Sequence, residues 1–266
     1  MNSYSYQQPE KIYSFTILNS SGAPGANEKP FTCQQLLTHM DSNEYGDAEL
    51  LHRKYKGKII FDCIQNQWYI YENHKWVLDT GRNIVHAVAV GLVEEYQAAI
   101  AHADPMYDNP AIRRHIKKLK TVTYINKVLD LAKTMDGLKV TEDTWNQNKN
   151  LICCEDGVIE LYPGRLRPGK PEDLINLSIP VSNFDLDKKA PTWKKFLNEI
   201  TDGNKELISF LQRLFGYALS GSGTYHIFPV FYGSGRNGKG TLMETIASIL
   251  TLELAIAIEV AVLEQK

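Results

Sequence analysis

Ile227-Phe228-Pro229-Val230-Phe231-Tyr232-Gly233-Ser234-Gly235-Arg236-Asn237-Gly238-Lys239-Gly240-Thr241 is the stretch on which the reading of this 266-residue chain turns. The apolar run Ile227 to Tyr232 predicts a strand, Gly233 to Gly238 a glycine-rich loop, and Lys239 to Leu250 a helix. From Gly233 to Lys239 the spacing is G-x-x-x-x-G-K, in which successive backbone N–H groups converge on phosphate oxygens at a helix N-terminus. Lys239 would then neutralise the β and γ phosphates. Gly233 would let the chain leave the strand sharply, and Gly238 would let the backbone turn under the phosphates without a Cβ clash. Ser234, Gly235, Arg236 and Asn237 complete the loop. The position after the lysine, usually a Ser or Thr whose hydroxyl holds Mg²⁺, is Gly240; Thr241 becomes the candidate metal ligand, with water as the alternative. A glycine-rich turn with an exposed lysine is the bland alternative. Three glycines in six positions between a strand and a helix favour nucleotide phosphates over it.

Upstream of the loop, two apolar stripes predict a packed helical pair. Trp193, Phe196, Leu197 and Ile200 form the first, and Leu207, Phe210, Leu211, Leu214 and Ala218 form the second, after a break at Asp202-Gly203-Asn204. The polar, proline-terminated segment 183–191 suggests a domain boundary, with Thr192 capping the next helix. Before it, Leu151 to Cys154 and Val158 to Tyr162 flank Glu155-Asp156-Gly157, a hairpin signal because Asp-Gly supplies positive φ angles. A helix over Tyr124–Met135 and another opening at Asn109-Pro110, with Ile112, Ile116 and Leu119 on one stripe, precede that hairpin. Residues 83–103 read as a long helix interrupted by Gly91. Lys58–Cys63, Trp68–Tyr71 and His74–Leu78 read as a small antiparallel meander. Helices are also expected over Phe31–Met40 and Asp47–Tyr55, the latter stopped by Gly57. The resulting expectation is an α+β N-terminal domain of small antiparallel strands plus helices, then a helical pair and an incomplete α/β P-loop unit. Its boundaries are an irregular arm at 1–34, the α+β domain at 35–190 and the P-loop unit at 191–266.

Leu207-Ile208-Ser209-Phe210-Leu211-Gln212-Arg213-Leu214-Phe215-Gly216-Tyr217-Ala218-Leu219-Ser220-Gly221, followed closely by Phe231 to Thr241, resembles the phage and plasmid primase-helicase family. Gly46-Asp47-Ala48-Glu49, Trp68 to Glu72 with Trp76, and Asn150 to Leu161 extend the likeness over about residues 43 to 260. The resemblance implies a helicase-linked N-terminal domain, shared with the poxvirus primase-helicase, ahead of a superfamily 3 helicase of the AAA+ class. It implies Lys239 as the Walker A lysine and Gly240-Thr241 as a variant of the motif. It further implies ATP and Mg²⁺ as cofactors, DNA as the substrate to be unwound, a hexameric ring, and a primase or other replication partners. No primase catalytic domain fits in the first 40 residues. Glu253, Glu259 and Glu264 are isolated, so a Walker B acid, a sensor and an arginine finger are expected beyond Lys266. Nucleotide binding without efficient hydrolysis is expected of residues 1–266, because only phosphate positioning is encoded in them.

Lys plus Arg number 29 against 31 acids, a formal charge of −2, so a nucleic-acid partner must be argued locally. Between Arg113 and Lys133, seven basic residues (Arg113, Arg114, Lys117, Lys118, Lys120, Lys127 and Lys133) face one acid, Asp130. The first five are candidate DNA-phosphate contacts; a solvated helix face is the competing reading. Trp68, Tyr69, Tyr71 and Trp76 offer base stacking or, more simply, core packing. The seven histidines show no metal spacing, and no acid–base or nucleophile set is recognisable. Cys33, Cys63, Cys153 and Cys154 form no C-x-x-C pair and suit a reducing, cytoplasmic compartment, and no segment reads as a membrane span or export signal. A non-catalytic DNA-binding or assembly module with a vestigial P-loop is the rival reading, and a small-molecule kinase a distant third.

Overall fold

Thr32 opens the first helix with a capping box: its hydroxyl accepts from Gln35 N (3.3 Å) and Gln35 Oε1 accepts from Thr32 N (3.0 Å). In a computed structural model, which describes residues 31–102, 110–141, 143–182, 185, 187–221 and 223–255, this helix is α1 (Cys33–Asp41). The arm expected before Phe31 and the Asn109 cap lie outside the described residues. Packing divides the chain into two units, 1–72 with 77–144, and 73–76 with 145–266. The boundary expected near residue 190 falls within the second.

The first unit is mainly helical. α2 (Asn43–Tyr55) follows α1 after a single residue, and the two cross so closely that a Cβ on Gly46 would lie 1.9 Å from the His39 carbonyl oxygen. Gly57, with φ +74°, terminates the turn after α2, as its sequence position predicts. β1 (Ile59–Asp62) pairs antiparallel with β2 (Gln67–Glu72), Phe61 opposite Trp68; β3 (Lys75–Leu78) completes the expected meander, its first two residues counted with the second unit. The sequence did not announce β4 (Lys139–Val140), which lies parallel to β1. Two residues carry no readable period.

The long helix expected over 83–103 is one helical run with a change of pitch: α3 (Asn83–His86), a π-helical stretch at Ala87–Leu92, and α4 (Val93–His102). Gly91 sits in the π-helical stretch because a Cβ there would lie 2.0 Å from the Tyr55 hydroxyl oxygen. α5 (Pro110–Leu119) and α6 (Val122–Ala132) complete the unit. Leu36, Leu51, Tyr55, Val88, Ile112 and Val128 belong to one continuous core.

The second unit opens with the meander β5 (Leu151–Cys154), β6 (Gly157–Glu160) and β7 (Arg165–Arg167), in that sheet order. The hairpin forms where expected, and its glycine has a second role. Gly157 is already the first residue of β6, opposite Cys154, and a Cβ on it would lie 2.4 Å from the Arg167 carbonyl oxygen. Its φ of +152° is the positive angle expected of the hairpin glycine, and its missing side chain also admits β7. Trp76 is buried in this unit, its Nε1 donating to the Pro171 carbonyl at 2.9 Å. Tyr69 of the first unit is buried too, so the aromatic meander packs rather than presenting a stacking platform.

α7 (Pro191–Ile200) and α8 (Lys205–Leu219) form the expected helical pair. Pro191, not a residue after a Thr192 cap, occupies the first helical position, where a missing N–H costs nothing. Asn204 caps α8 by accepting from Leu207 N at 3.0 Å. α9 (Lys239–Leu254) follows the glycine loop. The run Ile227–Tyr232 forms no strand and pairs with none among the described residues. Strand character needs a hydrogen-bonded neighbour as well as apolar, β-prone side chains. Without one, Phe228 (84% exposed) and Tyr232 (90% exposed) stand in solvent.

A candidate phosphate-binding loop

The segment that enters the loop is held by aromatic contacts instead of a sheet. Phe231 lies parallel to Phe215 of α8 with ring centroids 6.4 Å apart, and the Tyr217 hydroxyl accepts from Tyr225 N at 2.8 Å. At the loop's far end Leu242, buried in the first turn of α9, donates its N–H to the Gly238 carbonyl at 2.9 Å. Between these anchors the chain reverses through positive φ at Arg236 (+61°) and Gly238 (+80°). Gly238 needs its missing side chain twice over. Its φ is left-handed, and a Cβ would lie 2.5 Å from Ile200 Cγ2 and 3.4 Å from Phe196 at the end of α7. The sequence assigned Gly238 only the turn; its contact with α7 is a tertiary demand that no local motif announces.

Lys239 is the first residue of α9, and its ammonium folds back across the loop. Nζ donates to Asn237 Oδ1 at 2.7 Å and to the carbonyls of Gly233 and Ser234 at 3.3 and 3.4 Å. A Cβ on Gly233 would reach within 2.5 Å of Asn237 Nδ2 and 3.4 Å of that ammonium. Cβ atoms on Gly235 and Gly240 would meet nothing within 4 Å, so the loop is open on that side. Thr241 is exposed on the first turn of α9, one residue after Gly240. A cleft of about 420 Å³ adjoins the loop; Asn237 and Lys239 form its polar end and Leu207, Phe210, Val230 and Tyr232 contribute apolar walls. Its volume lies within the range of small-molecule sites. The donor set fits a polyphosphate: a cation at a helix N-terminus, a glycine cradle and a side-chain amide that positions the cation. Of the nine predicted loop residues, Gly233 to Thr241, Asn237 and Lys239 line the cleft.

No group of three or more His, Cys, Asp or Glu side chains suited to a metal ion occurs among the described residues. Glu259, Glu264 and the Glu253 side chain lie outside them. The five predicted DNA contacts are all exposed: Arg113, Arg114, Lys117 and Lys118 on α5, and Lys120 just beyond it.

Sequence reasoning missed a buried polar cluster in the first unit. Asp47 on α2 is fully buried, and its carboxylate accepts from the Tyr96 hydroxyl on Oδ1 and from the Tyr124 hydroxyl and His115 Nε2 on Oδ2, each at 2.8 Å. Burial, and then the Asp47 charge, push both tyrosine hydroxyls well above the ordinary phenol range, so they remain donors. Residues 47 and 115 are 68 positions apart, and no spacing rule could have joined them. A second network, in the other unit, joins Arg167 to Glu160 (2.7 Å) and Asp173 (2.8 Å).

The D5 N terminal like family model matches residues 48–202. A protein of Acanthamoeba polyphaga mimivirus, named as a candidate helicase, is 30% identical over 231 residues, covering 78% of this chain and 23% of the viral protein. The chain thus spans about a quarter of the length of that relative. The matched span contains Asp47's neighbours on α2, the aromatic meander, the hairpin and α7, and the relative extends the likeness to most of the chain. On these grounds the chain belongs to the D5 N-terminal-like family and carries a primase-helicase N-terminal region.

Proposed function

We propose that the loop Gly233–Thr241 binds the phosphates of ATP with Mg²⁺, and that the protein serves DNA replication as part of an ATP-driven helicase, assembled as a hexameric ring and working with a primase. The observation that carries this reading is the position of the Lys239 ammonium, held by Asn237 across an open glycine loop at the head of α9 and at the polar end of the cleft. Its present partners are two neutral carbonyls and an amide oxygen. Phosphate oxygens carry negative charge, so exchanging those neutral acceptors for them gives the ammonium an opposite charge as well as a hydrogen-bond acceptor, which favours the exchange. Thr241 would supply the protein hydroxyl to Mg²⁺, which brings charge neutralisation to the phosphates. The apolar walls next to Lys239 suit the nucleoside part of the ligand.

The adjacent reduced thiols Cys153 and Cys154 fit a cytoplasmic setting, and no helix among the described residues is long and apolar enough to cross a membrane. The test is calorimetric titration of the wild-type chain and Lys239→Ala with Mg²⁺-ATP. Removing a charge-assisted contact worth about 1.5–3 kcal/mol weakens binding about 10- to 100-fold. Equal affinities would reduce the loop to an exposed turn and leave the assembly-module reading in its place.

A further inference from the structure

α5 carries four cations and no acid in ten residues, and the structure sorts them cleanly. Ile112, His115 and Leu119 are buried, while Arg113, Arg114, Lys117 and Lys118 are exposed, with Lys120 exposed one residue beyond. Arg113 with Lys117, and Arg114 with Lys118, are i, i+4 pairs, so two like-charged rows run side by side, each pair separated by roughly 6 Å along the axis. Such pairs disfavour a helix by about 0.2–0.5 kcal/mol each, and an ordinary solvated face relieves this with interspersed acids. On α5 itself no acid is interspersed. The ion pairs of the neighbouring helix use Lys127 with Glu44 (3.2 Å) and Lys133 with Asp130 (2.9 Å). Among the described residues no ion pair takes Arg114, Lys117, Lys118 or Lys120. The nearby Glu44 carboxyl is held below its ordinary range, by a backbone hydrogen bond first and then, against its partial burial, by Lys127 and Lys118.

We propose that this face of α5 is a binding surface for the phosphate backbone of DNA. Three partner chemistries suit a basic helix, and the structure separates them. An anionic membrane would require the helix's apolar side to enter lipid, but that side is already buried in the core with Ile112 and Leu119. An acidic protein surface would require an apolar anchor at the centre of the contact, and no large apolar side chain of α5 is exposed. A phosphate backbone requires only closely spaced cations on a rigid support. The support is supplied from beneath: His115, between the two cationic rows in sequence, is fixed to buried Asp47, which Tyr96 of α4 and Tyr124 of α6 also hold.

The surface is independent of nucleotide, and its test is kept apart from that of the loop. Fluorescence anisotropy of labelled mixed-sequence DNA, single-stranded and duplex, would be measured across a salt series for wild type, Arg114→Gln/Lys117→Gln/Lys118→Gln/Lys120→Gln, and Lys239→Ala, with circular dichroism confirming the fold. The quadruple variant is expected to bind at least about tenfold more weakly. Its plot of log affinity against log salt should be shallower by about three units, since each neutralised phosphate contributes about 0.7 on a single strand and 0.9 on a duplex. Lys239→Ala is expected to bind DNA as wild type does. Wild type that fails to bind either DNA, or a quadruple variant with unchanged affinity and slope, would overturn the proposal. So would a labelled polyglutamate peptide bound as tightly as DNA, because that points to an acidic protein partner.

Discussion

Replacing Asp47 by alanine removes the acceptor for three buried donors at once: the hydroxyls of Tyr96 and Tyr124 and the Nε2 of His115, all at 2.8 Å. The three donors come from α4, α6 and α5, and Asp47 itself from α2, so the substitution loosens four helices together. Each buried polar group left without a partner costs about 1–3 kcal/mol, and breaking a buried charged cluster by removing one member costs about 3–5 kcal/mol. Relaxation and water entry keep the total near the latter range. Against an overall stability of about 5–15 kcal/mol for a domain, this is a large loss. Because the chain has two units, a single unfolding midpoint is a poor measure. Hydrogen exchange read peptide by peptide is better, since it isolates α2 and α6 from the second unit. With 1.4 kcal/mol per factor of ten, the expected acceleration in those helices is about 100- to 3,000-fold. The β5–β7 hairpin should be unaffected. Tyr96→Phe deletes one of the three bonds and is expected to cost only about 1 kcal/mol. An acceleration below about tenfold in Asp47→Ala would refute the view that this carboxylate holds the helices of the first unit together.

Two further outcomes follow from single positions. Gly91→Ala places a Cβ 2.0 Å from the Tyr55 hydroxyl oxygen and should destabilise the first unit by about 1–3 kcal/mol; Tyr55→Phe, which also removes a buried hydroxyl with no hydrogen-bond partner among the described residues, should restore most of that loss in the double variant, as read by exchange in α2. Burial pushes the Cys153 thiol up from 9.0 to about 11, with Lys75 opposing, while Cys63 is exposed. At pH 8 iodoacetamide should therefore modify Cys63 and spare Cys153, as peptide mass spectrometry would show. Because the folded thiol titrates above the unfolded one, its contribution to stability is complete below pH 9 and is lost as pH rises towards 11. Rapid alkylation of Cys153 in folded protein would contradict its burial.

The elements that could be read in the sequence are those whose cause is local. The meander was readable because Gln65-Asn66-Gln67 separates two β-prone runs, and α2 because Gly57 marks its stop. Features with distant causes were not. Gly91 read as a weak point in a helix, whereas its origin is a tyrosine 36 positions away in sequence. Gly157 read only as a positive-φ turn residue, which it is, but β7 also passes against it at Arg167. His115 read as a stray histidine in a basic run, and its partner Asp47 lies on another helix.

The loop and its predicted strand show the same division within a few residues. A glycine-rich loop is contiguous, so composition and spacing specify its course: the left-handed turn at Gly238 and the lysine at the helix head are set by neighbours in sequence. The strand before it is specified only in part, because side-chain pattern states a preference for extension while pairing is a property of whatever lies alongside. Ile227 to Tyr232 accordingly form no ladder, and Phe231 makes a ring contact with Phe215 instead. The exposed faces of Phe228 and Tyr232 are then the remaining physical mark of that unmet preference, and the cation they lead to is positioned all the same, because Asn237, α7 and Leu242 fix Lys239 from within the loop and beneath it.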